Sequence, residues 1–444
     1  MNRFAVLLKK EVREILRARA TPLYFLLVST LLGYSFYTAL SLYSTASEAA
    51  LVSPLYAAGF EPVPGVFTPL FGALFLLESL FLPFLIIPLL ALERSRNTLT
   101  VLLQLPWSVT AILGAKFLAA LLPVLVTTAM TFPAVALWIA WGGHIPWAEW
   151  LLLLTGHFLY GSVVVAISLA AASLFGSVGS ASIAGLAAII ASWFIDFGRD
   201  MHVAPLFELI TPWSLTQVVR TYEEGLLATD TCLYLILLAL FFLLAAKVLL
   251  DPDIRGKGLS IVLVFIVSTG ILAPAAHWKW TADLTESGRN SFPARYQRIL
   301  QAAPDLQIEI FLERTDSRAK DYEKSFLKRL LLAVPNARVR WMAGEQLRDH
   351  YGQFVYRVNS REEMTFSNSE EEIFIILAAL TGSPPPALSE KEVYPGYPLV
   401  TSDTQQRLAL LVYLLGVPLL LMTLFFFHRF ERTRTGVVHD SKKI

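Results

Sequence analysis

Seven stretches of this chain, residues 20–47, 97–115, 117–148, 151–195, 231–246, 258–278 and 408–428, contain no Asp, Glu, Lys or Arg. Most reach or exceed the roughly 20 apolar residues that an α-helix needs to cross a bilayer. Away from water a backbone must satisfy its own N–H and C=O groups, so such runs are expected to fold as helices. With 55% hydrophobic and 16% charged residues over 444 positions, the chain reads as an integral membrane protein. Gly176-Ser177-Val178-Gly179-Ser180 splits the longest run, and residues 66–91 add a span despite Glu78. The pattern predicts about eight helices, near 22–44, 66–91, 109–137, 151–175, 181–196, 230–250, 259–276 and 407–428.

An even number of spans puts both ends on one side. The segments on that side (1–20, 92–116, 247–257 and 429–444) hold 17 Lys and Arg, against two, Arg199 and Arg220, in the short opposing loops. The positive-inside rule then makes both termini cytoplasmic. Eight of the ten Trp fall near the expected outer ends, where an aromatic belt belongs. In residues 1–20, Phe4, Leu7, Leu8, Val12, Ile15 and Leu16 form one face while Lys9, Lys10, Arg13, Glu14 and Arg17 cover the other. That spacing predicts an amphipathic interfacial helix. Ser44-Thr45-Ala46 resembles a cleavage site, but the run from Ala20 is too long for a signal-peptide core and is expected to be retained as a span.

After Trp278 the composition changes to a charge-rich stretch whose apolar runs are too short to span. Helices are expected at 291–303, 319–334 and 370–380, the last opened by Ser369 as N-cap, and strands at 307–312, 337–342, 354–359 and 363–366. This alternation predicts a small α/β domain lying outside the membrane, followed by a stiff, Pro-rich return at 382–398. Net charge is +1, so no electrostatic case for nucleic acid exists. No G-x-x-x-x-G-K-[ST] loop occurs, so any ATP, with its Mg, is expected in a partner subunit. The seven His lack metal-ligand spacing, and Cys232 stands alone, so neither a metal centre nor an intrachain disulfide is expected. No catalytic constellation is apparent.

The segment Leu92 to Lys116 lies between two apolar runs. Glu93, Arg94 and Arg96 end one span, Leu99 to Leu105 form an apolar ridge, Pro106 breaks it, and Lys116 starts the next span. Such a helix suits docking into a soluble partner; an ordinary charged inner loop is the alternative of equal weight. The run resembles the coupling segment of type-2 ABC exporter permeases, in the gliding-motility and nitrous-oxide-reductase maturation branch. The matching residues are Glu93-Arg94, Thr98-Leu99, Leu102-Leu103 and Leu105-Pro106, with Asn97 where Gly is usual and Thr100 where Glu is usual. Lys10-Glu11-Val12-Arg13 resembles that family's amphipathic helix, and Leu209-Ile210-Thr211-Pro212-Trp213-Ser214 its outer hairpin. Residues 281–380 resemble a shortened auxiliary component of the gliding-motility system: Asp283-Leu284-Thr285-Glu286 matches its opening and Ile308-Glu309-Ile310-Phe311-Leu312, loosely, a strand.

The resemblance implies an α-helical integral membrane protein of the bacterial inner membrane. It would comprise an interfacial helix (1–20), a six-helix permease bundle (21–250), a seventh helix (251–276), an extracytoplasmic α/β domain (277–405), an eighth helix (406–428) and a basic tail (429–444). It would work as a homodimer or pseudo-dimer with cytoplasmic ABC ATPases and a periplasmic protein. Coupling would run through Glu93, Arg94, Arg96, Thr98, Leu99, Leu102, Leu103, Leu105 and Pro106. Glu78 and Ser214 are candidates for a translocation path, although for Glu78 a carboxylate snorkelling outward or bonded within the bundle is the favoured reading. The rival class is a non-transporting scaffold or receptor whose outer domain binds a periplasmic partner.

Overall fold

The computed structural model describes residues 3–52, 54–200, 210–277, 280–386 and 394–423. Leu209, the end of the eighth expected helix and the basic tail lie outside the described residues. The chain divides into two compact units, Met1–Trp280 with Pro395–Ile444, and Thr281–Tyr394.

Among the described residues, seven helices of the first unit are long and apolar enough to cross a membrane. The chain is therefore a multi-pass membrane protein. In chain order the helices are α1 (Arg3–Arg17), α2 (Ala20–Val52), α3 (Thr68–Leu80), α4 (Leu82–Ile86), α5 (Pro88–Ser95), α6 (Thr98–Gln104), α7 (Val109–Ala129) and α8 (Phe132–Ala140). They continue with α9 (Trp147–Leu174), α10 (Val178–Asp200), α11 (Leu215–Glu223), α12 (Thr229–Leu250) and α13 (Lys257–His277). The region of the seventh expected span is this last helix, apolar over Lys257–Ile271.

One expected span is broken, and another turns at Met130 within a single membrane-crossing stretch, Val109–Ala140. Residues 66–91 divide into α3, α4 and α5 because Pro83 and Pro88 cannot donate to the helix ladder and crowd the preceding turn. Pro133 likewise opens α8 after the turn at Met130, while Pro123 is accommodated inside α7. The centre of the unit is α9, which packs on α3, α7, α10 and α12. Glycines permit the close approach: a Cβ on Gly156 would stand 2.4 Å from the Tyr222 ring, and one on Gly161 2.6 Å from Val124.

The return helix, Asp403–Thr423, packs along α2. Ser29 donates to the Tyr413 carbonyl, and the Tyr413 hydroxyl donates to the Met130 carbonyl at 2.8 Å. Ahead of it, Pro395–Thr401 were expected within the outer domain, yet they are stitched to the first unit. Tyr43 donates to the Tyr397 carbonyl at 2.7 Å, and the amides of Leu399 and Thr401 donate to Ser47 and Ser44 at 3.0 and 2.8 Å.

The second unit is a four-stranded sheet with helices on one face. Its strands are β1 (Gln307–Ile310), β2 (Arg338–Trp341), β3 (Phe354–Val358) and β4 (Arg361–Thr365), in the order β2-β1-β3-β4. β1 pairs parallel with β2, across a helical crossover, and antiparallel with β3. Alternation sends Ile308, Ile310, Phe354, Tyr356 and Val358 into the core, where α14 (Ala294–Gln301) and α15 (Glu370–Thr381) add Tyr296, Ile299, Phe374 and Leu377. Tyr296 stacks on Phe374 at 3.7 Å, and the buried hydroxyls of Tyr322 and Tyr356 bond at 2.9 Å. Asp283 of the D-L-T-E motif organises the opening loop, accepting from the Thr285 hydroxyl at 2.6 Å and from the Asn290 amide at 3.1 Å. Ser369 occupies the N-cap of α15 but makes no capping bond with its side chain.

A Cβ on Gly33 would sit 2.4 Å from Tyr413 Cβ, whereas one on Gly72 meets nothing within 4 Å. Gly33→Ala is expected to cost about 1–3 kcal/mol by overpacking, and Gly72→Ala to be neutral or to stabilise by up to about 1 kcal/mol. Thermal unfolding of the two variants in detergent checks the contrast.

Candidate functional site

The amphipathic pattern of the first twenty residues produces α1, but one charge lies on its apolar stripe. Leu7, Glu11 and Ile15, four residues apart, are the buried positions of this helix. Phe4, Leu7 and Leu8 pack with Ile112 and Ala115 of α7 and with Leu102, Leu103 and Trp107. Glu11 is fully buried there, and so is Lys116, the lone charge of an otherwise apolar α7.

These two charges meet. Lys116 Nζ stands 2.9 Å from Glu11 Oε2 and 2.8 Å from Glu93 Oε2, and donates to the Leu89 carbonyl at 2.8 Å. Lys10 completes the cluster, at 2.9 Å from Glu11, 3.1 Å from Glu14 and 2.5 Å from Glu93. One ammonium thus ties together three separate helices, α1, α5 and α7. Glu11, Glu14 and Glu93 converge within 4.8 Å, the spacing of a metal site, but the two lysines already supply positive charge among them. Burial opposes ionisation of Glu93, yet Lys116 and Lys10 outweigh it and hold the carboxyl below the ordinary range. Burial likewise works against the charge on Lys10, and its bonds to Glu93 and Glu11 prevail, raising it.

The rest of the Leu92–Lys116 segment is built on this anchor. The Arg94 guanidinium donates to the carbonyls of Ser173 and Phe175, placing a cation where the last carbonyls of α9 lack helical partners. Asn97 adopts φ 58°, in the left-handed region. Asn is among the side chains that tolerate this conformation best. Thr98 donates to the Glu93 carbonyl at 3.1 Å, and Ser108 caps α7 by accepting from the Ala111 amide at 3.1 Å.

The ridge expected from Leu99 to Leu105 is divided by the helix. Leu99 is buried among Ile87, Leu90, Leu113 and Ala172, and Leu102 and Leu103 bridge that cluster to the α1–α7 cluster. Val101, at 61% exposure, and Leu105, at 46%, point outward, with Arg96, Thr98, Thr100, Gln104 and Pro106 also exposed. Among the nine expected coupling residues, Glu93, Arg94, Leu99, Leu102 and Leu103 thus hold the helix in place, and the remaining four are outward. Val101 was not among them, although its position two residues beyond Leu99 on the opposite side of a helix was legible. Glu11 and Lys116 were also outside that group; the signal was a lone charge on each of two apolar faces.

Glu78 and Ser214 share no hydrogen-bond partner among the described residues. Ser214 is buried, caps α11 by accepting from the Gln217 amide at 3.2 Å, and donates to Asp196 at 2.7 Å. Thr216 donates to the other oxygen of Asp196. Glu78 is fully buried between α3, α7 and α9; Thr127 donates to its Oε1 at 3.2 Å. No known protein family matches this chain, and no curated protein does.

Removing one partner of a buried ion pair leaves a charge uncompensated, so Lys116→Met is expected to destabilise the protein by about 3–5 kcal/mol, read from thermal unfolding in detergent. Glu93, depressed in the fold, contributes stability that is full above its unfolded value near 4.5 and is lost as pH falls through the folded one. Lys10, raised, contributes stability that is full below 10.5 and lost as pH rises through its folded value. Amide exchange in α1, corrected for its intrinsic pH dependence, is expected to stay slow between these limits and to accelerate in acid before the core of α9 does.

Proposed function

We propose that this chain is the transmembrane permease subunit of an ATP-binding-cassette export or mechanotransmission complex, coupled to separate cytoplasmic ATPases that bind ATP and Mg. The observation that carries this reading is the outward pair Val101 and Leu105 on a short helix whose opposite face is locked into the membrane unit. Residues matching the coupling segment of type-2 ABC exporter permeases lie on this same helix and its flanks, which supports the assignment. A push on α6 would reach α1, α5 and α7 together, because Lys116 holds all three.

In this reading both termini are cytoplasmic and eight helices cross the bacterial inner membrane, six forming the bundle that dimerises. The two added helices, α13 and the return helix, flank the α/β unit in sequence and grip different partners: α13 packs on α12, and the return helix on α2. Relative motion of α2 and α12 would thereby be delivered to an extracytoplasmic domain able to engage a periplasmic protein. The α/β unit has its own core and helices on one sheet face, which suits a part that is moved rather than one that transports.

The test is pull-down of the full-length protein from native membranes with and without ATP. Wild type is expected to bring down an ATPase subunit in stoichiometric amount, and Val101→Asp with Leu105→Asp to lose it while retaining yield and melting temperature. Full retention of the ATPase by that double variant rejects the coupling role of α6. Absence of any ATPase from the wild-type sample favours the scaffold.

A further inference from the structure

Glu78 stands near the end of α3, on a membrane-crossing stretch (Val63–Leu80), with no compensating charge among the described residues. It makes no ion pair among the described residues, and its Oε2 is buried without a hydrogen-bond partner. The neighbouring elements bring hydroxyl groups to this region. From α7 comes the Thr127 hydroxyl on Oε1. From α2 comes Tyr24, whose buried hydroxyl lies beside Thr127 and Glu78. From α9 comes Tyr160, bonded at 2.5 Å to Ser79. Gly161 makes the space, since a Cβ there would lie 3.0 and 3.1 Å from the two carboxylate oxygens.

The nearby basic groups face other residues. Lys116 lies eleven residues before Thr127, roughly 16 Å along α7 at about 1.5 Å per residue, and is held by Glu11 and Glu93. His157, one turn before Gly161 on α9, faces Glu223 at 3.4 Å and the Phe71 ring. A buried carboxylate without a partner is costly, and ionisable groups within membrane spans mark ion or proton pathways.

We propose that Glu78, with the hydroxyls of Thr127 and Tyr24, forms an intramembrane binding site for a small monovalent cation, a proton or an alkali-metal ion. An all-oxygen donor set suits a hard cation. This site is independent of the coupling surface, and its existence does not require an ATPase partner.

The experiment uses the purified full-length protein in detergent and a hydrophobic carbodiimide, read by peptide mass spectrometry. The reagent reacts with a protonated carboxyl: the acid O–H adds across one N=C bond, giving an acylisourea that rearranges to a stable acylurea, with no atom lost. In choline medium Glu78 is expected to be modified. Severalfold suppression by Na⁺ at constant pH, with choline as the ionic control, identifies an alkali-metal site; modification insensitive to Na⁺ identifies a proton site. Absence of modification at Glu78 in both media, while exposed Glu345 is modified at low pH, overturns the proposal. As a second measurement, Glu78→Gln keeps an oxygen for Thr127 and needs no counter-charge. Its melting temperature is expected to lose the Na⁺ or pH dependence that the wild type displays, by mass action on the folded state. Identical dependence in the two proteins also overturns the assignment.

Discussion

The ammonium group of Lys116 sits where three helices meet, with Lys10 beside it linking two of them. Ordinary helix packing lets neighbours slide by a fraction of a turn at modest cost, because dispersion contacts are many and individually weak. A buried charge removes that freedom: its partners must remain within about 3 Å or the desolvation cost goes uncompensated. Glu11 and Glu93 meet that demand from opposite ends of the sequence segment, so α1, α5 and α7 behave as one body at this end of the bundle. Everything exposed on α6 inherits its position from that body, through Leu99, Leu102 and Leu103 beneath it.

The remainder of the membrane unit depends on close approach to α9. Small residues along this helix let its neighbours come near enough for side chains from α3 and α11 to enter its grooves; Tyr222 lies over Gly156, and Glu78 beside Gly161. The same device seats the return helix, where Gly33 accommodates Tyr413. Small residues are the usual means of association where lipid supplies no hydrophobic drive between helices. Polar groups then add direction: Tyr413 bonds both α2 and the turn after α7.

Much of this was legible in the amino-acid order. Uncharged runs located most of the helices within a few residues, although α2 continues to Val52 and the 66–91 span is broken after Leu80; hydrogen-bond satisfaction in an apolar medium leaves few alternatives. The strands expected at 307–312 and 354–359 are observed at Gln307–Ile310 and Phe354–Val358. The break at Pro83 is written in the chain, but an apolar count registers hydrophobicity and not the missing N–H.

Pairings between distant positions were decided by the tertiary structure alone. A ridge from Leu99 to Leu105 has no sides in a sequence; burial assigned Leu99 and Leu103 inward and Val101 and Leu105 outward. Glu11 and Lys116 are 105 positions apart, and only the packing of α1 on α7 brings them to 2.9 Å. The attachment of residues 395–401 to the membrane unit has no local signal, because their bonds go to Ser44, Ser47 and Tyr43, far away in the chain. Local composition dictates where a helix must form, because that depends on neighbours within a turn or two. Which charges meet inside depends on how helices are juxtaposed, and that is a property of the folded whole.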